Sequence, residues 1–455
     1  MNHCKLLIPI INYSLRRIYY TAQLYKKGDI MEILRKGSRG SLVSMAQLAL
    51  RRAGFYSGAT DGIFGSKTES AVRYFQYLNR IRTDGIIGSD TWGLLEKYIR
   101  GYFRYTLKRG DTYWLLANRY GTNVRAIMLA NPDINENFLR VGQVINIPYG
   151  FNVVPTQIPY SSYLATLVVQ GLVVRYPFLK LTVCGKSVMG KDIYCIRAGK
   201  GRKEVFYNAA HHANEWITIP VLLKFLEQYA GAYAFAGRIG GADADVLFGN
   251  TTLYTVPLVN PDGVDLVTGA LSDGEYYENA VKIADEYPSV PFPDGWKANI
   301  DGTDLNLNYP ANWEKAKEIK YAQGFVSPAP RDFVGTAPLS APESRAMYDL
   351  TQSRDFRLIL AYHTQGEIIF WKYLDYDPPR AEEIGNLMSQ RSGYSLQITP
   401  ESSSYAGYKD WFIATYNRPG YTIEVGMGEN PLPLSQFDKI YRDNIGILVT
   451  GLAEA

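Results

Sequence analysis

The alternation of apolar and polar residues predicts an α/β domain in the last two thirds of the chain. Six segments rich in β-branched and aromatic residues predict strands, and two longer segments with apolar residues every three or four positions predict helices. The predicted strands are 181–184, 193–197, 205–210, 252–259, 358–363 and 420–425, and the predicted helices are 217–230 and 340–353. Because strands alternate with helices, we expect a mixed sheet with buried strands.

A short repeat marks the N-terminal part of the chain. The sequence DGIFGSKT at 61–68 recurs as DGIIGSDT at 84–91. In each copy Asp-Gly predicts a turn, and Ser or Thr is expected to cap the helix that follows, at 69–78 and 92–99. A further helix at 41–53 has apolar residues on one face and ends at Gly54, so the region predicts a bundle of three helices.

A second small unit opens with YTLKRGDT at 105–112 and closes with GQVINIP at 142–148. Each end predicts a short strand. One helix is expected from Thr112 to the residue before Gly121, and a second at 124–130 before an Asn-Pro pair. The pattern predicts a compact α+β module.

Composition excludes several classes of protein. A chain of 455 residues with 46% apolar and 20% charged residues suggests about three globular domains, and it excludes disorder, collagen and coiled coil as the main architecture. A net charge of +4 is too weak to indicate a nucleic-acid partner. No apolar run approaches the roughly 18 residues needed to span a bilayer, and residues 1–30 contain no convincing secretion signal.

The three cysteines are too few for a disulfide framework. Cys184 and Cys195 flank a predicted turn, so a bond across a hairpin is one alternative. We favour buried free thiols for both, and Cys4 stands alone near the N-terminus.

Three of the four histidines stand at the ends of predicted strands. The strand at 205–210 runs into His211 and His212, with Glu215 three residues after His212, and the strand at 358–363 ends with His363. Open α/β sheets place their sites at the carboxyl ends of strands, and catalytic zinc takes three protein ligands. These residues are candidate zinc ligands, although a single His-x-x-Glu pair is more typical of a helix cap or a core histidine.

Both N-terminal units resemble bacterial wall-binding domains. Residues from about 33 to 100 resemble the three-helix peptidoglycan-binding domain, and the second unit resembles the LysM domain, which binds glycans containing N-acetylglucosamine. Tyr113 and Trp114 stand where LysM domains more often have smaller or aliphatic residues. They extend the sugar-binding surface or fill the core, and we favour the core.

Four more segments follow in order: NPDG at 260–263, WKAN at 296–299, GTDLNLNY at 302–309 and GYTIEVG at 420–426. Together with the histidine motifs they resemble the zinc carboxypeptidase family over about 160–450. The resemblance implies one zinc ion per chain on His212, Glu215 and His363. It also implies amide hydrolysis with Glu424 as the general base for the attacking water. His211 lies four residues from Glu215 and is not included.

Several residues depart from the digestive members of that family. Lys297 stands where the family has an oxyanion-binding arginine; lysine keeps the charge without the guanidinium fork, and the alternative is a solvated surface lysine. Leu307, after Asn306, replaces the arginine that clamps a terminal carboxylate, and Asn214 replaces another arginine. The resemblance therefore implies a substrate pocket that is not built for an ordinary free C-terminus.

With GYKDW at 407–411 and RPGYTIE at 418–424, this pattern resembles the γ-D-glutamyl-diaminopimelate endopeptidases, which cut peptidoglycan stem peptides. The resemblance implies cleavage of the γ-D-glutamyl–diamino acid amide, with meso-diaminopimelate favoured. Tyr405 and Tyr408 both fit the family's mobile tyrosine; we favour Tyr405 and assign Tyr408 to substrate binding. The alternatives are a carboxypeptidase that releases a C-terminal residue from wall peptides and an inactive wall-binding protein.

The sequence thus predicts several domains in one chain. They are an extension at 1–32, a peptidoglycan-binding bundle at 33–101, a LysM module at 103–149, a linker at 150–160 and a catalytic domain at 161–455. The expected partners are stem peptides and glycan, which favours a location in the cell wall or outside the cell. The missing secretion signal leaves a cytoplasmic or spore-associated location open.

Overall fold

The computed structural model describes residues 33–400 and 403–455. The predicted extension at 1–32, with Cys4, lies outside the described residues. The helices are α1 (Ser41–Arg52), α2 (Ser66–Leu78), α3 (Ser89–Arg100), α4 (Tyr113–Tyr120), α5 (Val124–Leu129), α6 (Ser162–Arg175), α7 (Thr218–Ala234), α8 (Ala244–Asn250), α9 (Pro261–Val267), α10 (Gly274–Asp285), α11 (Trp313–Ala322), α12 (Pro342–Gln352), α13 (Ala381–Ser392), α14 (Tyr408–Tyr416) and α15 (Phe437–Ala453).

The strands fall in three sheets within the same ranges. They are β1 (Tyr102–Thr106), β2 (Val144–Pro148), β3 (Lys180–Lys186), β4 (Asp192–Gly199), β5 (Lys203–Ala209), β6 (Arg238–Ile239), β7 (Ala242–Asp243), β8 (Thr251–Val256), β9 (Phe356–His363), β10 (Ile368–Phe370), β11 (Ser395–Gln397) and β12 (Gly420–Glu424).

The bundle of α1, α2 and α3 is organised by a repeated glutamine contact. The Gln47 amide donates to Asp61 Oδ1 at 2.9 Å and to the Thr68 hydroxyl at 3.2 Å; Gln76 makes the same two contacts in the second copy, with Asp84 and Thr91. The predicted Ser or Thr caps are wrong. Glycines stand at the N-caps of α2 and α3 without a side-chain cap, because the threonines lie inside the first turns and bind the glutamines.

The LysM module pairs β1 with β2 in an antiparallel sheet that packs against α4 and α5 around its own small core. Thr112 caps α4 and accepts a hydrogen bond from the Leu115 amide at 3.1 Å. The core prediction is confirmed for Tyr113, which is buried, and wrong for Trp114, whose side chain is 64% exposed. Trp114 therefore belongs to the surface of the module.

The catalytic domain is built on an eight-stranded mixed sheet with the order β11-β10-β12-β9-β5-β8-β4-β3. The four central strands β12, β9, β5 and β8 run parallel, and β4, β3 and β10 run antiparallel to their inner neighbours. All six predicted strands are present, so the predicted fold class is confirmed. The two short strands β10 and β11 were not predicted.

The bundle packs directly on the catalytic domain through α3 and α6. Arg100 donates to the Gln170 side chain at 3.1 Å, and the rings of Trp92 and Tyr163 meet edge to face. Gly171 lets the two helices approach, since a Cβ at this position would lie 2.1 Å from the Arg100 carbonyl oxygen. The hydrophobic core is continuous across this contact.

The segment between the LysM module and α6 is held by buried charges. The Val153 and Val154 amides donate to the Glu227 carboxylate at 2.6 and 3.1 Å, and Arg52 of the bundle donates to the Val153 carbonyl at 3.2 Å. The predicted linker is therefore fixed to the bundle and to the catalytic domain. The division of the chain into domains at the stated boundaries stays a prediction.

Two further expectations concern the thiols and the membrane. Cys184 and Cys195 are free; Cys195 is buried and Cys184 half-buried, with a register shift between β3 and β4 at Cys184. In the parts of the chain that the structure describes, no helix is long and apolar enough to cross a membrane.

Candidate active site

Three parallel strands deliver the candidate residues to one edge of the sheet. His363 is the last residue of β9 and Glu424 the last residue of β12, and the two are neighbours in the register. The strand β5 pairs with the other side of β9 and ends at Ala209, just before His212. Parallel strands end at the same edge, which explains how residues far apart in sequence meet.

A turn after β5 directs His212 out of the sheet. Ala210 has φ of 56°, in the left-handed region that non-glycine residues rarely adopt, and its carbonyl accepts the Asn260 amide at 3.1 Å. The Asn260 side chain donates to the carbonyls of His211 at 3.1 Å and Ala298 at 3.0 Å. It thus ties the His212 segment to the segment that carries Lys297.

The ligand atoms of His212, Glu215 and His363 converge. The two Nδ1 atoms lie 3.2 Å apart, and each lies 2.9 Å from one oxygen of the Glu215 carboxylate. All three residues are buried. Two imidazole nitrogens and a carboxylate that converge in this way need a proton or a metal ion among them, and two histidines with one carboxylate form a donor set typical of catalytic zinc. The residues fit a zinc ion.

Asp304 orients His212 from behind. Its Oδ1 lies 3.1 Å from His212 Nε2 and also accepts the Asn306 amide, and its Oδ2 accepts the Asp332 amide at 3.2 Å. Burial disfavours a charged His212, but Glu215 and Asp304 outweigh it and raise its pKa to about 9. Burial raises the pKa of Glu215, but the positive charges of His212 and Lys297 outweigh burial and hold this pKa well below its ordinary range. A carboxylate on the second ring nitrogen is a common support for a metal-binding histidine.

Lys297 points into the site. Its Nζ lies 3.2 Å from Glu215 Oε1, and its side chain is 20% exposed. Burial lowers the pKa of Lys297, but the Glu215 charge outweighs this effect and raises it, so the side chain is an ammonium ion. The alternative of a solvated surface lysine is wrong.

Glu424 lies beside the candidate ligands and is only partly covered. Burial and then the negative charge of Glu215 raise its pKa to about 8. A cation nearby favours the ionised carboxylate and acts against this shift. Glu424 is therefore open to solvent beside the candidate ligands, and a cation held by those ligands favours its ionised form, which a general base requires.

His211 and Glu343 lie close to the site, and buried hydrogen bonds hold both side chains in place. His211 is buried with its Nε2 3.0 Å from the Tyr309 hydroxyl, and burial holds its pKa well below the usual value, so it is neutral. Glu343 is buried in α12, where it accepts hydrogen bonds from the Val188 amide at 3.0 Å and the Asn299 side chain at 3.1 Å; burial raises its pKa to about 7.

The predicted substrate contacts differ in their surroundings. Asn214 is buried and donates to the Asp294 carbonyl at 2.9 Å, and its Oδ1 has no partner among the described residues. Asn306 Oδ1 accepts the Tyr408 amide at 3.0 Å. Leu307 is partly buried against the second core cluster of the catalytic domain. The structure holds Asn306 and Leu307 against Asp304, and Asn214 stands next to Glu215 in the chain. The contact of all three residues with substrate stays a prediction.

The two candidate tyrosines lie in the core. Tyr408 is completely buried, its hydroxyl lies 2.8 Å from that of Thr351, and its ring packs against Phe206. This placement does not present its side chain to a substrate, and we do not carry Tyr408 into the proposed site. Tyr405 is 8% exposed in the same core cluster. Its role as a mobile tyrosine stays a prediction.

Sequence reasoning missed Asp304, Asn260 and Arg331. Asp304 and Asn260 lie in the motifs that carried the resemblance. Their place in those motifs was the signal that could have identified them. Arg331 lies outside every motif, and the fold brings its loop to Lys297, whose amide donates to the Pro330 carbonyl at 2.7 Å.

Family comparisons agree with this architecture. The zinc carboxypeptidase family matches residues 167–446, a putative peptidoglycan binding domain matches 39–95 and the LysM domain matches 105–148. The chain therefore belongs to the zinc carboxypeptidase family, and it carries two peptidoglycan-binding modules ahead of the peptidase domain.

Individual proteins give a narrower comparison. The chain is 45% identical to γ-D-glutamyl-L-diamino acid endopeptidase 1 of Lysinibacillus sphaericus over 284 residues, which cover 62% of this chain and 70% of the relative. It is 41% identical to the uncharacterized protein YqgT of Bacillus subtilis over 276 residues, 60% of this chain and 72% of that one. The crystal structure of thrombin activatable fibrinolysis inhibitor shares the fold at 14% identity, with a TM-score of 0.51 and coverage of 78% and 98%.

Proposed function

We propose that this chain is a zinc-dependent peptidoglycan hydrolase that cleaves the γ-D-glutamyl–diamino acid amide of stem peptides, with meso-diaminopimelate as the diamino acid. The observation that carries the proposal is the convergence of His212, Glu215 and His363 beside Glu424. The 45% identity to an enzyme named for this reaction supports the choice of bond.

The residues have distinct roles in the proposed reaction. His212, Glu215 and His363 hold one zinc ion, and zinc when bound supplies a Lewis acid that lowers the pKa of water and polarises the amide carbonyl. Glu424 takes the proton of the attacking water and passes it to the leaving amine of the diamino acid. Lys297 places its ammonium charge where negative charge develops on the carbonyl oxygen.

The pocket supports an internal amide as the substrate. Leu307 has no donor for a carboxylate, and Asn214 and Asn306 offer only neutral amides. Asn306 Nδ2 donates no hydrogen bond within the described residues, so it is available to a substrate oxygen. A pocket of this kind does not select a free C-terminus by charge.

The N-terminal modules place the enzyme on its substrate. A peptidoglycan-binding bundle and a LysM module on one chain raise the local concentration of stem peptides through avidity. The exposed Trp114 gives the LysM surface an aromatic ring of the kind that packs on sugars. We assign the protein to the cell wall on this basis.

A defined tetrapeptide tests the proposal. The zinc-loaded protein is incubated with L-alanyl-γ-D-glutamyl-meso-diaminopimelyl-D-alanine, and mass spectrometry identifies the products. We expect L-alanyl-D-glutamate and diaminopimelyl-D-alanine. Release of D-alanine alone would instead show a carboxypeptidase, and an intact peptide in the presence of bound zinc would show an inactive wall-binding protein. Glu215→Ala, which removes a ligand, is the control for zinc content by elemental analysis.

A further inference from the structure

The loop that carries Arg331 is attached to the candidate site on both sides of this residue. The carbonyl of Pro330 accepts the amides of Lys297 at 2.7 Å and Ala298 at 2.9 Å. The amide of Asp332 donates to Asp304, the residue that orients His212. Arg331 therefore stands between two backbone contacts to the catalytic residues, and the fold fixes its position relative to them.

The Arg331 guanidinium has N–H donors that make no hydrogen bond to the described residues. Its Nε donates to Asp332 at 2.6 Å, and its terminal nitrogens donate no hydrogen bond to any residue that the structure describes. The side chain is 42% exposed. Asp332 also pairs with Lys320, so its charge is shared between two cations. A half-exposed guanidinium with a free fork is suited to bind a carboxylate through two hydrogen bonds.

The proposed substrate carries a carboxylate at the corresponding place. In a γ-linked D-glutamate the α-carboxylate is free, and its carbon lies four bonds from the scissile carbonyl carbon, about 5 Å in extended geometry. An α-linked peptide has a carboxylate at that distance only where its acyl residue is glutamate. Lys297 is assigned to the scissile carbonyl, and the Arg331 loop binds the Lys297 backbone. The Arg331 charge is close enough to Lys297 to lower the pKa of its ammonium group, so the guanidinium lies within reach of a carboxylate next to that carbonyl.

We propose that Arg331 binds the free α-carboxylate of the D-glutamyl residue and so favours γ-glutamyl substrates in which this carboxylate is free over those in which it is amidated. The inference rests on the proposed function and adds the group that recognises the acyl half of the substrate. It also explains how a site with Leu307 in place of the carboxylate-binding arginine still selects an acidic peptide: the cation lies on the other side of the scissile bond.

Two substrates and three variants test the role of Arg331. The first substrate is the tetrapeptide above, and the second has the D-glutamyl α-carboxylate replaced by a carboxamide, as D-isoglutamine. We expect the wild-type protein to cleave the free acid with a kcat/KM about 10- to 100-fold higher, the range for hydrogen bonds to charged groups. Arg331→Gln should bring the ratio close to one, and Arg331→Lys should give an intermediate ratio. Arg357→Gln should leave the wild-type ratio unchanged.

Arg357 is a matched control because it is also half-exposed and paired with a neighbouring carboxylate, Asp355, at 2.9 Å. It lies near the start of β9, six residues and about 20 Å from His363. Zinc content and the thermal midpoint of each variant show that the site and the fold are intact.

The outcomes separate this inference from the proposed function. If the wild-type protein cleaves the γ-D-glutamyl bond of both substrates equally, or if Arg331→Gln keeps the wild-type ratio, the role of Arg331 is wrong and the proposed function stands. A third substrate with the D-alanine carboxylate amidated checks the leaving side; an effect of Arg331→Gln confined to that substrate also overturns the inference. If the wild-type protein cleaves no γ-D-glutamyl bond, both proposals fail.

Discussion

Replacing Asp304 by asparagine should weaken zinc binding without removing a ligand. The Asp304 carboxylate accepts hydrogen bonds on both oxygens, from His212 Nε2 and the Asn306 amide on one and from the Asp332 amide on the other. An asparagine has one acceptor oxygen. Either its NH₂ faces the Asp332 amide, donor against donor, or it faces His212 and favours the tautomer whose Nδ1 carries the proton and cannot bind a metal.

The magnitude follows from those contacts. A buried donor left without an acceptor costs about 1–3 kcal/mol, and loss of the partner of a metal-binding histidine typically weakens metal affinity 10- to 100-fold. We therefore expect the zinc dissociation constant of Asp304→Asn to rise about 10- to 100-fold in competition with a chromophoric chelator. Asp301→Asn, an exposed carboxylate three residues away, is the control. Wild-type zinc affinity in Asp304→Asn would refute the orienting role.

Three further predictions concern proton transfer, pH and the contact between domains. Glu424→Gln should lower kcat on the tetrapeptide by about 10²- to 10⁴-fold because the general base is lost, with zinc content by elemental analysis unchanged; substantial residual turnover would contradict its role. The pKa of Glu343 is about 7 in the folded protein against an ordinary 4.5. Between these two pH values the folded state therefore holds a proton that the unfolded state has released. The free energy of unfolding should therefore fall by about 3 kcal/mol as pH rises through this window, and Glu343→Gln should flatten that slope in denaturant titrations from pH 4.5 to 7.5. Glu227→Ala leaves two buried amides in the linker without acceptors and should destabilise the protein by about 2–4 kcal/mol in urea unfolding; an unchanged midpoint would contradict the anchoring of the linker.

The sequence was informative where the signal is local. His212 and Glu215 lie three residues apart at the end of a strand, and His363 ends another strand, so spacing made them candidate ligands. The resemblance to the zinc carboxypeptidases then implied that they share one zinc ion. The contact between His212 and Asp304 joins residues 92 positions apart and becomes visible only in the fold. Arg331 has no motif at all, and its place beside Lys297 depends on backbone contacts between two loops.

Burial of single side chains was the weakest part of the prediction. Trp114 and Tyr113 are adjacent in sequence, yet one is exposed and the other buried, because successive helix residues point about 100° apart and only packing decides which one faces the core. The three-residue strands β10 and β11 are too short to show a period of two. Tyr408 lies in the motif GYKDW at 407–411, but the first turn of α14 directs its ring into the core.

The contact between α3 and α6 affects where the enzyme can cut relative to a bound glycan strand. A wall-binding module on a flexible linker would let a hydrolase reach many bonds at different distances from the bound module. Here the bundle is seated on the peptidase domain, and Arg52 and Glu227 hold the intervening segment. If the proposed function is right, glycan bound by the bundle therefore lies at a fixed distance from His212, Glu215 and His363, whereas a flexible tether would allow a range of distances.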